Sequence, residues 1–457
     1  MEIPDAFIEQ MNYLLGKSGT ERLVQSLLEP TPVSIRVNRQ KPAFLTMNMD
    51  EPVPWSADGC YLKERPSFTL DPLFHAGCYY VQEASSMFLE QVMRCYVQQP
   101  VVMLDLCAAP GGKSTQAVSL LPQGSLLVAN EVIGSRAKIL VENLTKWGSP
   151  DVVVTNNDPS AFTPLENLFD VLLADVPCSG EGMFRKDPTA VSEWSPENVT
   201  LCWQRQRRIL SDVWPALKPG GLLIYSTCTF NQYENEDNIA WIARELGAEV
   251  LPVEVPRAWR ITGNLTEEDF PVYRFLPSYT RGEGLFMAVL RKHESDYRPY
   301  SPKLPKKKEK APAAALSKEA LLQAMEWVSD PDRFDLQMER DTLTAFPKAY
   351  SPLLTALRGS LRMLKAGVEV AHCKGQDLQP AHALLLSSIY NKVSLPTAEV
   401  TREQAIAYLR KESLTLPDAP RGYVVLTYRH IPLGLVKNLG TRANNLYPAE
   451  WRVRKMN

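Results

Sequence analysis

The sequence predicts an α/β protein: a doubly wound parallel sheet, preceded by a smaller extension and followed by an α+β unit. Three observations predict it. Apolar runs alternate with helical stretches between about 101 and 292, as in a parallel sheet covered by helices on both faces. A chain of 457 residues exceeds what one hydrophobic core usually supports. Between 296 and 315 the composition shifts to Pro, Lys and Ala, which cannot fill a core. The expected parts are 1–95, 96–295, a linker at 296–315, and 316–457.

In chain order, Ile3, Phe7, Met11 and Leu14 or Leu15 have the spacing of an amphipathic helix that ends at Gly16. Residues 32–39 alternate apolar residues with Ser34, Arg36 and Asn38, which reads as a half-exposed edge strand offering Arg36 and Arg39 to phosphates. Five buried strands are expected at 101–106, 125–131, 151–156, 169–176 and 222–227, with ligand chemistry at their carboxyl ends. A helix over 196–217 leads through a tight Lys218-Pro-Gly-Gly turn into the fifth, and 285–290 closes the sheet. Lys306, Lys307 and Lys308 read as a solvated basic run in the linker. Beyond it, helices are expected at 316–328 and 353–363 and strands at 422–428 and 433–439. The end of the chain interleaves Arg429, Lys437, Arg442, Arg452, Arg454 and Lys455 with Tyr428, Tyr447 and Trp451, a mixture that suits RNA and equally an ordinary basic tail.

A net charge of −2 excludes a uniformly cationic surface, so nucleic-acid affinity would need local basic patches. The eight cysteines, at 60, 78, 95, 107, 178, 202, 228 and 373, form no CxxC pair, which predicts reduced thiols and no metal. Cys60, Cys78, Cys95 and Cys202 read as inert buried thiols, and His372 beside Cys373 as loop or core. The N-terminus lacks the pattern of a secretory leader and no apolar run could span a bilayer, so a cytoplasmic protein without membrane contact is expected, monomeric by default.

Asp105-Leu-Cys-Ala-Ala-Pro-Gly-Gly-Lys-Ser-Thr lies where the first buried strand meets a helix, and Gly111 and Gly112 let backbone amides approach a ligand closely. A triphosphate-binding loop would need Gly where Cys107 stands, and Pro110 removes an amide that would donate to phosphate. The dinucleotide fingerprint G-x-G-x-x-G is absent. Glu131 follows at about the distance at which a carboxylate accepts both hydroxyls of an adenosine ribose. Asp158 and Asp175 end the third and fourth strands, so three crossings deliver acids to one sheet edge. Acceptors of this kind suit adenosine joined to a cationic amino acid, as in S-adenosylmethionine, better than a polyphosphate. The residues read as cofactor-binding are Cys107, Ala108, Ala109, Pro110, Gly111, Gly112, Lys113, Glu131, Asp158 and Asp175.

Asp175-Val-Pro-Cys-Ser-Gly follows the fourth strand and Tyr225-Ser-Thr-Cys-Thr the fifth, bringing Cys178 and Cys228 to the same edge beside Asp175. Carbon 5 of cytosine is a poor nucleophile until a thiolate adds at carbon 6, and the product is freed only when a base removes the C5 proton. Two cysteines beside an acidic residue match that division of labour. Methyl transfer to nitrogen or oxygen needs no covalent thiol. These residues alone do not rank the two cysteines.

The chain resembles the NOL1/NOP2/Sun family of RNA cytosine-5 methyltransferases, within it the bacterial RsmF-like enzymes of 16S ribosomal RNA. The likeness is carried by Ile3-Pro-Asp-Ala-Phe with Leu14-Leu-Gly, Ser34-Ile-Arg-Val-Asn, Tyr80-Val-Gln-Glu-Ala-Ser-Ser-Met, Leu106-Cys-Ala-Ala-Pro-Gly-Gly-Lys, Asp175-Val-Pro-Cys-Ser-Gly-Glu-Gly-Met-Phe and Tyr225-Ser-Thr-Cys-Thr-Phe with Glu234-Asn-Glu. It is strong through about 292 and weaker beyond; Val176 departs from the alanine of many relatives. The resemblance implies a Rossmann-like class I methyltransferase domain using S-adenosylmethionine, an RNA-guiding N-terminal extension and a C-terminal PUA-like module. It further implies that Cys228 is the nucleophile, that Cys178 assists product release and that Asp175 lies nearest the reacting groups. Cys228 is chosen on likeness alone, since in DNA cytosine methyltransferases the cysteine after proline attacks. The implied partner is 16S rRNA or the small ribosomal subunit, with an unpaired or flipped cytosine as target and 5-methylcytosine as product. Transfer RNA as substrate, or a non-catalytic RNA-binding assembly factor on the same scaffold, are the alternatives. Both cysteines, Lys113 and the acidic strand ends argue against the latter.

Overall fold

The computed structural model describes residues 3–295, 298, 300, 316–374 and 377–454, so most of the expected linker, with Lys306 to Lys308, and Lys455 lie outside the described residues. A first sheet holds Val33–Val37 (β1), Met49–Pro52 (β2), Gly59–Leu62 (β3) and Tyr79–Val81 (β4) in the order β2-β3-β1-β4. The central sheet is built from Val102–Asp105 (β5), Leu126–Asn130 (β6), Val152–Thr155 (β7), Phe169–Asp175 (β8), Leu217–Thr227 (β9), Ala248–Leu251 (β10), Tyr273–Phe275 (β11) and Leu285–Lys292 (β12). Its order, β10-β12-β9-β8-β5-β6-β7, is parallel from β9 to β7 and antiparallel at β12. Chain order reverses between β8 and β5, which opens a crevice at their carboxyl ends.

The alternation of side chains explains why these strands read as continuous apolar runs. Leu104, Val128, Val153, Leu172 and Leu223 pack into one core, while their chain neighbours Met103, Leu127, Val154, Leu173 and Ile224 pack into another on the opposite face. Every position is buried because helices cover both sides.

The N-terminal helix ends at Gly16 as expected, where the backbone adopts φ 69° and ψ 163°, and a second helix outside that reading follows directly to Leu27, burying Leu23 and Leu27. Four expectations are corrected. Residues 33–37 form an inner strand, between β3 and β4. Its polar residues are buried along with Ile35: Ser34 donates to the Gln82 carbonyl (2.6 Å), and Asn38, just past the strand, to the carbonyls of Gly77 (2.9 Å) and Trp147 (3.1 Å). Arg36 donates to Gln82 Oε1 and Thr115 Oγ1, both at 2.7 Å, and its guanidinium lies 4.4 Å from the Trp147 ring. Burial pulls its pKa down to about 9, and no phosphate can reach it. Alternation predicted the two faces but not that the fold covers both. Arg39 is exposed and pairs with Asp58.

The helix expected over 196–217 is Pro196–Val213, because Pro215 has no amide to continue it. Lys218-Pro-Gly-Gly lies inside β9 as a bulge: Phe169 faces Leu217, but Val171 already faces Leu222. Among the cysteines read as inert, Cys78 and Cys202 are buried, Cys60 is half-buried and Cys95 is exposed. Cys95 sits in the last turn of the helix Leu89–Tyr96, off its buried face.

After 316, helices Lys318–Glu326 and Ser351–Ser360 accompany Phe334–Glu339 (β13), Thr342–Pro347 (β14), Met363–Ala366 (β15), Val368–Lys374 (β16) and Asp377–Pro380 (β17). They are followed by Thr397–Glu399 (β18), Gly422–Tyr428 (β19), Ile431–Asn438 (β20) and Ala443–Asn445 (β21). Two four-stranded sheets result, β13-β14-β16-β17 and β18-β19-β20-β21. One strand leaves this region: β15 pairs antiparallel with β7 and extends the central sheet, while Leu353, Leu354 and Leu357 join its core. His372 and Cys373 lie in β16, with His372 Nδ1 3.2 Å from Thr342 Oγ1. No helix among the described residues is long and apolar enough to cross a membrane.

Candidate active site

The carboxyl ends of β5, β8 and β9 converge. Asp105 ends β5 fully buried: Oδ2 accepts from Ser114 Oγ (2.6 Å), and Oδ1 has no partner. Burial pushes its pKa up to about 7, and the nearby Asp175 and Glu131 add to the rise. The loop that follows is held by the Ala108 amide on the Asn130 carbonyl (2.8 Å) and by Asn143 on the Pro110 carbonyl (2.8 Å). Gly111 at φ 114°, disfavoured for any residue with a Cβ, starts the helix Gly112–Leu120 and turns its N-terminus toward the crevice.

Lys113, on the first turn, places Nζ 2.9 Å from Asp175 Oδ2, and Ser226 Oγ donates to Asp175 Oδ1 at 2.7 Å. Burial alone would lower the Lys113 pKa. The Asp175 carboxylate outweighs it, assisted by Cys228 and Asp105, so the ammonium stays charged. Cys178 and Cys228 meet with their sulfurs 3.0 Å apart. The contact with Cys228, then burial, push the Cys178 pKa well up, and either sulfur can be the donor of the S–H between them.

Behind the sulfurs lies a buried polar frame. Glu181 accepts from the amides of Phe230 (2.5 Å) and Asn231 (3.0 Å), from Asn231 Nδ2 (2.9 Å) and from Trp194 Nε1 (3.1 Å). Glu234 accepts from the Ser179 amide (3.0 Å) and hydroxyl (2.5 Å), Gln206 Nε2 (2.8 Å) and Asn231 Nδ2 (2.7 Å). Each carboxylate thus grips the loop next to a cysteine, and Asn231 bridges the two. Burial and the neighbouring Glu181 push Glu234 up to about 7. Gly182 donates its amide to the Cys228 carbonyl at 2.7 Å, a contact that leaves no room for a Cβ.

A cavity of about 370 Å³ opens at this point, walled by Cys107 to Pro110, Gly112, Lys113, Asp175 and Cys228, and opposite by Tyr80, Gln82 and the 283–285 segment. Cys178 reaches it through Cys228. Gly111 is the hinge behind the wall. Glu131 and Asp158 stand apart from it. Glu131 is buried just past β6, accepting from the Ile133 amide (2.9 Å), with Arg136 3.9 Å away. Asp158 is 45% exposed, caps a short helix through Ser160 and pairs with Arg208 at 3.4 Å. The sequence reading assigned no role to Gln206, Asn231, Ser179, Glu181 or Glu234. Three of these lay inside quoted motifs, but nothing in their spacing told a buried acceptor from a surface acid. Among the described residues, no three potential metal ligands gather.

The family model described as 16S rRNA methyltransferase RsmB/F matches residues 95–291, the N-terminal domain of 16S rRNA methyltransferase RsmF matches 3–84, and the RsmF PUA domain matches 396–453. The ribosomal RNA small subunit methyltransferase F of Cronobacter sakazakii is 33% identical over 98% of this chain and 96% of its own. That of Aliivibrio fischeri is 32% identical over 98% and 97%. Among solved structures, a methyltransferase homolog protein from Pyrococcus horikoshii superposes with a TM-score of 0.54 at 28% identity, covering 63% of this chain and 95% of that one. NSun6 from Pyrococcus horikoshii with SFG shares the fold, with a TM-score of 0.54 at 20% identity over 64% and 99%. The site's chemistry fits an S-adenosylmethionine cofactor: a buried acceptor without a partner at Asp105 and carboxylates past three strand ends suit a ligand that brings hydroxyls, an ammonium and a sulfonium. The chain belongs to the RsmF family and is an S-adenosylmethionine-dependent RNA methyltransferase.

Proposed function

We propose that the protein methylates carbon 5 of a cytosine in 16S ribosomal RNA, with Cys228 adding to carbon 6. One observation carries the reading: two sulfurs 3.0 Å apart at the ends of adjacent strands, beside a Lys113–Asp175 ion pair. S-adenosylmethionine would be held by the 107–113 loop and Asp175 and would have to extend beyond the cavity to meet Glu131 and Asp158; it would supply an electrophilic methyl group to C5, its sulfur leaving as the neutral sulfide.

The chain's own residues perform the rest. The Lys113 ammonium interacts electrostatically with the Cys228 sulfur, whose thiolate is the form that adds to a ring carbon. Asp175, partly open to the cavity, is available to accept from the amino group of the base. Once the Cys228 sulfur is bonded to C6, Cys178 is the free sulfur beside the adduct. Cys178 then gives its proton to solvent and takes the one on C5; the C–H pair restores the C5–C6 double bond and expels Cys228 as thiolate. The Glu181–Asn231–Glu234 frame holds both sulfurs in register through this cycle.

The 1–95 extension and the PUA-like module within 316–457 hold the RNA, and the work needs neither a metal nor a second subunit. Bisulfite sequencing of ribosomal and transfer RNA from cells with and without the protein tests the reading. The expected result is loss of 5-methylcytosine from 16S rRNA alone; loss from transfer RNA alone overturns the substrate, and no loss from either overturns the chemistry.

A further inference from the structure

A second concavity, of about 840 Å³, is lined in two places by residues next in the chain to those that line the catalytic cavity. On one wall Arg185 lines the groove and Lys186 the cavity; on the other Gly282 lines the groove and Glu283 the cavity. The junction is rigid, because Arg185 pairs with Glu283 at 2.9 Å and donates to the carbonyls of Ser26 and Gly282. The buried Arg185–Glu283 pair thus joins a residue that lines the groove to one that lines the cavity.

The groove carries cations that the fold does not consume. Lys63, Arg65 and Arg260 line it and are exposed, and Arg22 reaches it through Tyr279, donating to the phenol oxygen at 3.0 Å. None of the four has a carboxylate within ion-pair distance among the described residues, whereas Arg281 pairs with Asp50 at 2.7 Å. The Tyr279 ring holds Arg22 and Arg260 close, at 5.8 and 5.5 Å from its centroid, which pre-orders two long side chains. Against these stand two exposed lining carboxylates, Glu29 and Glu64. The Ser278 hydroxyl in the groove has no partner. A duplex cannot deliver a base into a 370 Å³ cavity while keeping it paired, so the target nucleotide is unpaired or flipped out at this mouth, and a target already in a single strand meets that need at the least unpairing cost.

We propose that this groove is the track for the single-stranded RNA flanking the target nucleotide, with Arg22, Lys63, Arg65 and Arg260 on its phosphates. The assignment rests on the reading that an unpaired cytosine enters the cavity. Its test uses the full-length protein and a fluorescent 12-nucleotide unstructured RNA with one central cytosine, titrated at several salt concentrations. Each phosphate contact contributes about 0.7 to the slope of log affinity against log salt for a single strand. Arg65→Ala and Arg260→Ala should each lower the slope by about 0.7 and the double variant by about 1.4, with cofactor affinity unchanged.

Slopes equal to the parent's overturn the track, as does a parent that fails to bind the oligonucleotide. An equal loss on a duplex of the same sequence overturns the single-strand assignment. Nucleoside analysis of the methylated product keeps the two claims apart. Lowered slopes without 5-methylcytosine leave the track standing and sink the chemistry, and 5-methylcytosine with unchanged slopes does the reverse.

Discussion

Replacing Glu181 by alanine asks whether the buried frame positions the nucleophile. Four donors converge on this fully buried carboxylate. Asn231 Nδ2 can find another acceptor, since it already reaches Glu234, and Trp194, packed against Phe7 and Phe184, lies outside the nucleophile's loop. The amides of Phe230 and Asn231 cannot find one, since their place is set by β9 just upstream. A buried donor left without an acceptor costs roughly 1–3 kcal/mol, so the pair costs about 4 kcal/mol. That is a large share of the 5–15 kcal/mol or so that separates a typical folded domain from its unfolded chain. It falls on the loop that carries Cys228. Hydrogen exchange is the direct assay, because about 4 kcal/mol of lost protection corresponds to roughly a thousandfold faster exchange. Mass spectrometry of the peptide spanning 225–236 should show this in Glu181→Ala and about half of the effect, in free energy, in Glu181→Gln. Exchange within threefold of the parent in both variants would refute the reasoning.

Two further outcomes follow from the same geometry. A Cβ on Gly182 would sit 2.6 Å from the Cys228 carbonyl oxygen, so Gly182→Ala should displace the nucleophile and cut methyl transfer on the order of 100-fold while calorimetry finds cofactor affinity within twofold; undiminished turnover would contradict it. Glu234 has its pKa raised to about 7 by burial, so the stability owed to its protonated form is fully present below its usual value near 4.5 and is lost as pH rises through about 7. Glu234→Gln does not titrate, and the parent should therefore lose on the order of 3 kcal/mol relative to this variant between pH 4.5 and 8 in parallel unfolding experiments; a constant difference would show that Glu234 does not titrate in that window.

The central sheet was legible because its strands are buried on both faces, so an uninterrupted apolar run carries the signal without any need to know partners. The loop after β5 and the two cysteine turns were legible for a related reason: strand ends of a parallel sheet share one edge, and motif order alone brings Cys178, Cys228 and Asp175 together. What could not be read depended on three-dimensional partners. Arg36 looks like a surface cation until Gln82, Thr115 and Trp147 close over it from three separate segments. Glu181 and Glu234 look like surface acids until their donors, drawn from loops up to 55 residues away, surround them. The addition of β15 to the edge of the central sheet is equally invisible, since a four-residue strand has no periodicity to read.

Trapping the reaction partway is the most direct test of the assignment of roles. The Cys178→Ala protein, incubated with S-adenosylmethionine and small-subunit RNA, should give a protein–RNA adduct that survives a denaturing gel, because Cys228 can still add to C6 while nothing takes the proton from C5. Adding Cys228→Ala to the same chain should abolish that band. An adduct from the Cys228→Ala single variant, with none from Cys178→Ala, would contradict the account.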